Sequence, residues 1–129
     1  MVVLRHVIAP GGVAAGRGYS QVVTGRGQLV VISGQVAQNE RGELVGPGDP
    51  AAQARQVFEN LRGVLRAAGG DVSNLMKITT YITKIEDFPA VAQARSEVFQ
   101  GEMPASTLIV VKGLFHPDFL LEIEGMAAV

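Results

Sequence analysis

"AAQARQVFENLRGVLRAAGGDVSNLMKITTYIT", residues 51–83, contains a complete change of period. Val57, Phe58, Leu61, Val64 and Leu65 recur at three- and four-residue intervals, while Arg55, Glu59, Arg62 and Arg66 fall mostly elsewhere. That is the apolar stripe of an amphipathic helix. Asp49-Pro50 supplies an N-cap and a first-turn proline, and Gly69-Gly70 a stop. From Met76 the period drops to two. Met76, Ile78, Thr80 and Ile82 share one face and Lys77, Thr79, Tyr81 and Thr83 the other, as in a strand. A helix that runs straight on into a strand implies a sheet with helices laid against it.

The flanks extend the same reading. "MVVLRHVIAPGG" (1–12) places Arg5 and His6 inside its apolar run and breaks at Pro10, which suits a first strand better than a signal peptide. "YSQVVTGRGQLVVISGQV" (19–36) reads as a hairpin, two β-rich arms joined through Gly25-Arg26-Gly27. "NERGELVGPGD" (39–49) is a turn-rich connection. A second helix spans about 87–100 with Phe88, Val91, Val98 and Phe99 on its stripe. "STLIVVKG" (106–113) and "FLLEIEGMA" (119–127) are closing strands around a turn at Pro117-Asp118. The order βββαβαββ defines a single α+β domain over 1–129. It is a mixed sheet of roughly six strands with two helices on one face, reached by right-handed crossovers.

Two helices cover one face of such a sheet and leave the other bare. Several strands are too apolar to face water on that side, and the mean hydropathy of +0.26 is high for a small soluble monomer. A second copy of the chain is the simplest cover.

Composition narrows the function. With 11 basic and 12 acidic residues the net charge is −1, so no broad attraction to nucleic acid or anionic membrane is built in. No run is long enough for a transmembrane helix. The absence of cysteine excludes disulfides, thiolate metal sites and a Cys nucleophile, and fits a reducing, cytoplasmic location. His6 and His116 belong to no metal-ligand pattern and read as surface or edge residues; no metal is expected. "GRGYS" and "GRGQL" resemble phosphate loops only superficially, since no Lys-Ser/Thr follows and neither opens a helix; they are turns.

Two places carry possible chemistry. In "GEMPAST" (101–107) a proline leads small hydroxyl residues into a strand, where Ser106 and Thr107 could meet a ligand or simply begin the strand. Glu122 and Glu124 lie two apart in an apolar strand, so both carboxylates face one way. An unpartnered buried carboxylate costs several kcal/mol. The pair is therefore solvated at an edge, bridged at an interface, or engaged in acid–base work.

Together, Tyr19 with Ser20-Gln21, "VVISGQV" (30–36), the 51–83 stretch, "DFPAV" (87–91), Pro104-Ala105 and "LLEIEGMA" (120–127) resemble the RidA (YjgF, reactive intermediate deaminase) family over nearly the whole chain. The resemblance implies a chorismate-mutase-like subunit in a homotrimer, with sheet faces turned inward and small-molecule clefts between subunits. It also implies cofactor-free hydrolysis of amino-acid-derived imines to 2-keto acid and ammonia. Glu122 would activate water, while Tyr19, Gly34 and Phe88 would complete the pocket around the substrate.

The chain departs from the family at the carboxylate clamp. The arginine expected after Pro104-Ala105 is Ser106, with undisturbed spacing to Leu114. The second helix carries Ala92 and Arg95 where an asparagine and an aromatic are common. Arg95 either snorkels to a rim or reaches the pocket in the clamp's stead. Two function classes follow. One is a deaminase-like hydrolase of altered specificity, weak or inactive on 2-iminobutanoate and 2-iminopropanoate. The other is a regulatory trimer that binds small molecules without turning them over. Ribonuclease activity, ascribed to some relatives, is disfavoured by the charge balance and the lack of an aromatic–basic surface pattern.

Overall fold

In the computed structural model, residues 3–129 are described. The first helix, α1 (Pro50–Ala67), begins where its cap lies: the Asp49 carboxylate accepts a hydrogen bond from the Ala52 N–H at 3.1 Å. It ends as the Ala68, Gly69 and Gly70 N–H groups close onto the last carbonyls, Gly69 at a φ of 88° that favours glycine. The strands are β1 (Val3–Val7), β2 (Val22–Arg26), β3 (Leu29–Gln35), β4 (Leu75–Ile82), β5 (Ala105–Val110) and β6 (Leu121–Ala128), with α2 (Phe88–Val98) between β4 and β5. The order βββαβαββ is the one expected.

Four strands form the main sheet in the order β3-β6-β4-β5. The β3–β6 and β6–β4 pairs are antiparallel and β4–β5 is parallel, so α2 is the crossover that a parallel pair requires. The expected hairpin of β2 with β3 does not exist. β2 pairs instead with β1, from Val7↔Val22 to Val3↔Arg26, in a separate two-stranded ribbon. At the turn the chain leaves the ribbon for the main sheet, where Gln28 exchanges both backbone hydrogen bonds with Val129 (2.6 and 3.0 Å). The ribbon meets the main sheet again at a parallel bridge between Ser20 and Ala105.

A second departure is a bulge. Leu75 opposes Ala127 and Lys77 opposes Met126, leaving Met76 unopposed. Met76 therefore leaves the face of Ile78, Thr80 and Ile82, and its thioether lies over Gly25 of the ribbon. Leu75 takes the buried place instead.

Ile78, Ile82, Leu121, Ile123 and Ala127 bury the helix-side face against Val57, Phe58, Leu61 and Leu65 of α1 and Val91 and Ala94 of α2. Phe58 and Phe99 meet edge to face at 6.0 Å. Each such large side chain contributes about 1.5–3 kcal/mol. Gln53 is fully buried yet satisfied: its amide donates to the Gly46 and Asp118 carbonyls and accepts from the Leu120 N–H. It thereby ties the start of α1 to the entry of β6.

The opposite face is bare. Val31 (73% exposed), Leu29 (64%), Met126 and Ile109 stand in the open beside Lys77, Thr79, Tyr81, Thr107, Glu122 and Glu124. No helix of the described residues is long and apolar enough to cross a membrane.

Candidate functional site

A cavity of about 520 Å³ opens between β5, α2 and the Gly16–Tyr19 turn, lined by Arg17, Tyr19, Phe88, Arg95, Ser106 and Leu108 together with Ala15. Ser106 and Leu108 reach it because they sit two apart on β5, opposite Ile78 and Thr80 on the helix side of the sheet. The turn is held to β5 by Ser20, whose hydroxyl donates to the Met103 carbonyl at 2.6 Å and whose N–H donates to the Pro104 carbonyl at 3.1 Å. Tyr19 is thereby fixed beside Ser106.

Arg95 does reach the cavity. It lies seven residues after Phe88, on the same helix face, and its guanidinium carbon stands 5.9 Å from the centre of the Phe88 ring. Its Nη2 rests against Gly18, whose φ of +73° and lack of a side chain make room for it. Burial holds the Arg95 pKa below its ordinary value, though an arginine stays charged at neutral pH.

The second cluster lies on β3 and β6. A Cβ on Gly34 would fall on the Glu122 carboxylate, so Gly34 is required by the close approach of that side chain. The Gly34 segment is positioned by Asn60 of α1, whose amide donates to the Val36 and Gln38 carbonyls at 2.9 Å each. Glu122 accepts no hydrogen bond from any described side chain or backbone group, and it stands half-buried with an open carboxylate.

Glu124, its neighbour on the same face, is engaged. Tyr81 donates its hydroxyl proton to Glu124 at 2.5 Å. That hydrogen bond, then burial and the charges of Glu124 and Glu122, raises the tyrosine pKa. Thr107 also belongs to this face, where its hydroxyl accepts from the Lys77 ammonium at 2.9 Å. It points away from the cavity that holds Ser106.

Of the expected site residues, Tyr19, Phe88, Arg95 and Ser106 converge on one cavity, and Gly34 and Glu122 on each other. The two groups occupy opposite faces of the sheet, since Ser106 pairs with core Ile78 and Glu122 with Tyr81. Arg17, read from the sequence only as a turn residue, joins the first group. Of the two expectations for His6, surface or edge, the edge holds: it lies on β1 of the two-stranded ribbon, its side chain 7% exposed, with Nδ1 2.7 Å from the Glu102 carboxylate. It lines a separate cavity of about 470 Å³ with Arg62, Ser73, Glu97 and Glu102, which shares no residue with the first. His116 stays exposed and accepts the Asp118 N–H at its Nδ1.

A mixed sheet carrying two helices is also what related proteins show. The family model described as Endoribonuclease L-PSP matches residues 11–129. The 3-aminoacrylate deaminase RutC of Acinetobacter baylyi is 36% identical over 101 residues, 78% of this chain and 79% of that protein. The 2-iminobutanoate/2-iminopropanoate deaminase of Rattus norvegicus is 33% identical over 126 residues, 97% of this chain and 90% of that one. Among solved structures, the Rid-family protein YyfB of Yersinia pestis superposes with a TM-score of 0.89 at 35% identity, covering 98% of both chains. RidA of an Antarctic Psychrobacter gives 0.74 at 32% identity, over 97% of this chain and 100% of that one. The chain belongs to the RidA/YjgF family.

Proposed function

We propose that the chain forms a homotrimer and hydrolyses imines or enamines derived from amino acids in clefts between its subunits, without a cofactor. The observation that carries this reading is the split site. Within one subunit the open Glu122 carboxylate and the Tyr19–Arg95–Ser106 cavity lie on opposite faces of the sheet, so a neighbouring copy is needed to bring the two together. The exposed Val31, Leu29 and Met126 give that neighbour an apolar surface to cover. The two deaminases among the relatives support the chemistry.

The reaction needs only water and a base. Glu122 takes a proton from water as its oxygen attacks the imine carbon, and the carbon–nitrogen double bond becomes single. The carboxyl proton passes to that nitrogen, giving the carbinolamine. Glu122 then takes the hydroxyl proton and hands it to nitrogen as the carbon–nitrogen bond breaks, so ammonia leaves and a keto acid remains. Tyr19 and Arg95 hold the substrate from the far wall. Ser106 stands where the family places its clamp arginine, which shifts specificity away from the imines of the rat relative. The cysteine-free composition fits work in a reducing cytoplasm.

The same substitution favours the second reading, a trimer that binds small molecules without turning them over. The deciding experiment generates imines in situ with an amino-acid oxidase and follows keto-acid release above the uncatalysed rate, using a panel of amino acids. Release that disappears in Glu122→Gln supports the hydrolase. No acceleration with any imine, alongside saturable binding of keto acids, supports the binding protein.

A further inference from the structure

The charge inside the Arg95 cavity is one-sided. Arg17 and Arg95 both line it, and no acidic side chain does. Of the other arginines, Arg41 pairs with Glu43, Arg62 with Glu59 and Asp71, and Arg66 with Asp71, whereas Arg5, Arg26 and Arg55 pair with no described residue. Arg17 and Arg95 form no ion pair with any described residue. They enter the cavity from adjoining segments, since Arg95 Nη2 rests on Gly18, the residue after Arg17. Two like charges lining one cavity repel, and the apolar walls of Phe88 and Leu108 weaken the screening by water. A monoanion matches one guanidinium and leaves the other unmatched. A dianion matches both.

We propose that this cavity selects a dicarboxylic ligand, an imino or keto acid with a second carboxylate at the far end of its chain. Arg95, half-buried against Phe88, grips one carboxylate in the interior. Arg17, exposed on its turn, meets the other at the mouth. A planar guanidinium binds a carboxylate through two parallel hydrogen bonds, which makes arginine the suitable cation at both ends. The cavity, at about 520 Å³, has room beyond a short monoacid. Arg17 thus becomes a specificity residue. The inference rests on the proposed hydrolase for the reaction that follows binding, and on the cavity alone for the binding itself.

The test is calorimetric titration of the full chain with matched pairs: glutarate against butanoate, and 2-oxoglutarate against 2-oxobutanoate. The dicarboxylate binds roughly tenfold tighter or more, the increment of one added charge-assisted contact. The gap narrows as salt rises from about 0.01 to 0.15 M, since the outer arginine is open to screening. Arg17→Gln brings the dicarboxylate down to the level of the monocarboxylate, and Arg95→Gln weakens both. Equal affinities within each pair, a gap that survives Arg17→Gln, or no binding of either acid overturns the proposal. Dicarboxylate preference without keto-acid release from any imine removes the hydrolase and leaves this site standing. Turnover of monocarboxylic imines without the preference does the reverse.

Discussion

The Glu122 carboxylate occupies the space that any side chain at position 34 would need. Gly34 is therefore a glycine for reasons of room, since its backbone is not among those with positive φ. Gly34→Ala has to push Glu122 aside. The side chain is flexible and half-buried, so the fold survives with a stability loss of about 1 kcal/mol or less. Imine turnover, however, should fall as far as it does in Glu122→Gln. Melting temperatures and keto-acid release for both variants check this. Full activity in Gly34→Ala would mean that the placement of Glu122 is irrelevant to the reaction.

The exposed face makes a separate prediction. Val31 stands 73% exposed at the centre of the apolar group formed with Leu29 and Met126. Under the proposed assembly it is covered by a neighbour, and a carboxylate there would be stranded in an apolar interface. Sedimentation should therefore show a trimer for the parent chain and smaller species for Val31→Asp at micromolar concentration. A parent that sediments as a monomer removes the intersubunit cleft altogether.

What could be read in the sequence was local. The stripe and cap of α1 and the alternation of β4 each lie within a dozen or so neighbouring residues, and both elements stand where that pattern puts them. Pairing partners are not local. The arms of 19–36 have hairpin composition, but β2 finds its partner in β1 and β3 finds its partner in β6, because backbone donors and acceptors look the same to every strand. The bulge at Met76 escaped for a related reason: an extra residue shifts register without breaking the apolar pattern. The family resemblance singled out Tyr19, Gly34 and Glu122, of which Tyr19 lines the cavity and Gly34 and Glu122 meet on the other face. Arg17 was not singled out, since its turn acquires meaning only when Ser20 fastens it to β5. Gln53 and Asn60 left a faint signal as polar residues in α1 beside its apolar stripe.

Tyr81 and Glu124 give a pH prediction whose sign follows from the raised tyrosine pKa. The folded state holds the phenol proton more tightly than the unfolded chain does. The stabilisation is fully present below the unfolded value of about 10 and is lost as pH rises through the higher folded value. The melting temperature of the parent should exceed that of Tyr81→Phe at neutral pH. Above pH 10 the difference should shrink. A difference that stays constant across this range would show that Glu124 does not take the proton-bearing hydrogen bond from Tyr81 in solution.

The remaining prediction turns on Ser106, which faces the cavity from β5 while Arg95 enters it from α2. Under the proposed function, a clamp arginine at position 106 would hold the substrate carboxylate from the sheet side. Arg95 holds it from the helix side and so presents the imine carbon differently. A charge-assisted hydrogen bond is worth about 1.5–3 kcal/mol, so its loss costs roughly ten- to a hundredfold in binding. The parent chain should hydrolyse 2-iminobutanoate and 2-iminopropanoate poorly, and Ser106→Arg should raise that rate by a comparable factor. Keto-acid release from imine generated in situ measures both. If the parent is already fast, Arg95 alone presents these imines correctly from the helix side and Arg95→Ala should abolish turnover. If Ser106→Arg changes nothing, the cleft differs from that of its relatives by more than one residue, and Ala92 in the second helix is the next position to restore.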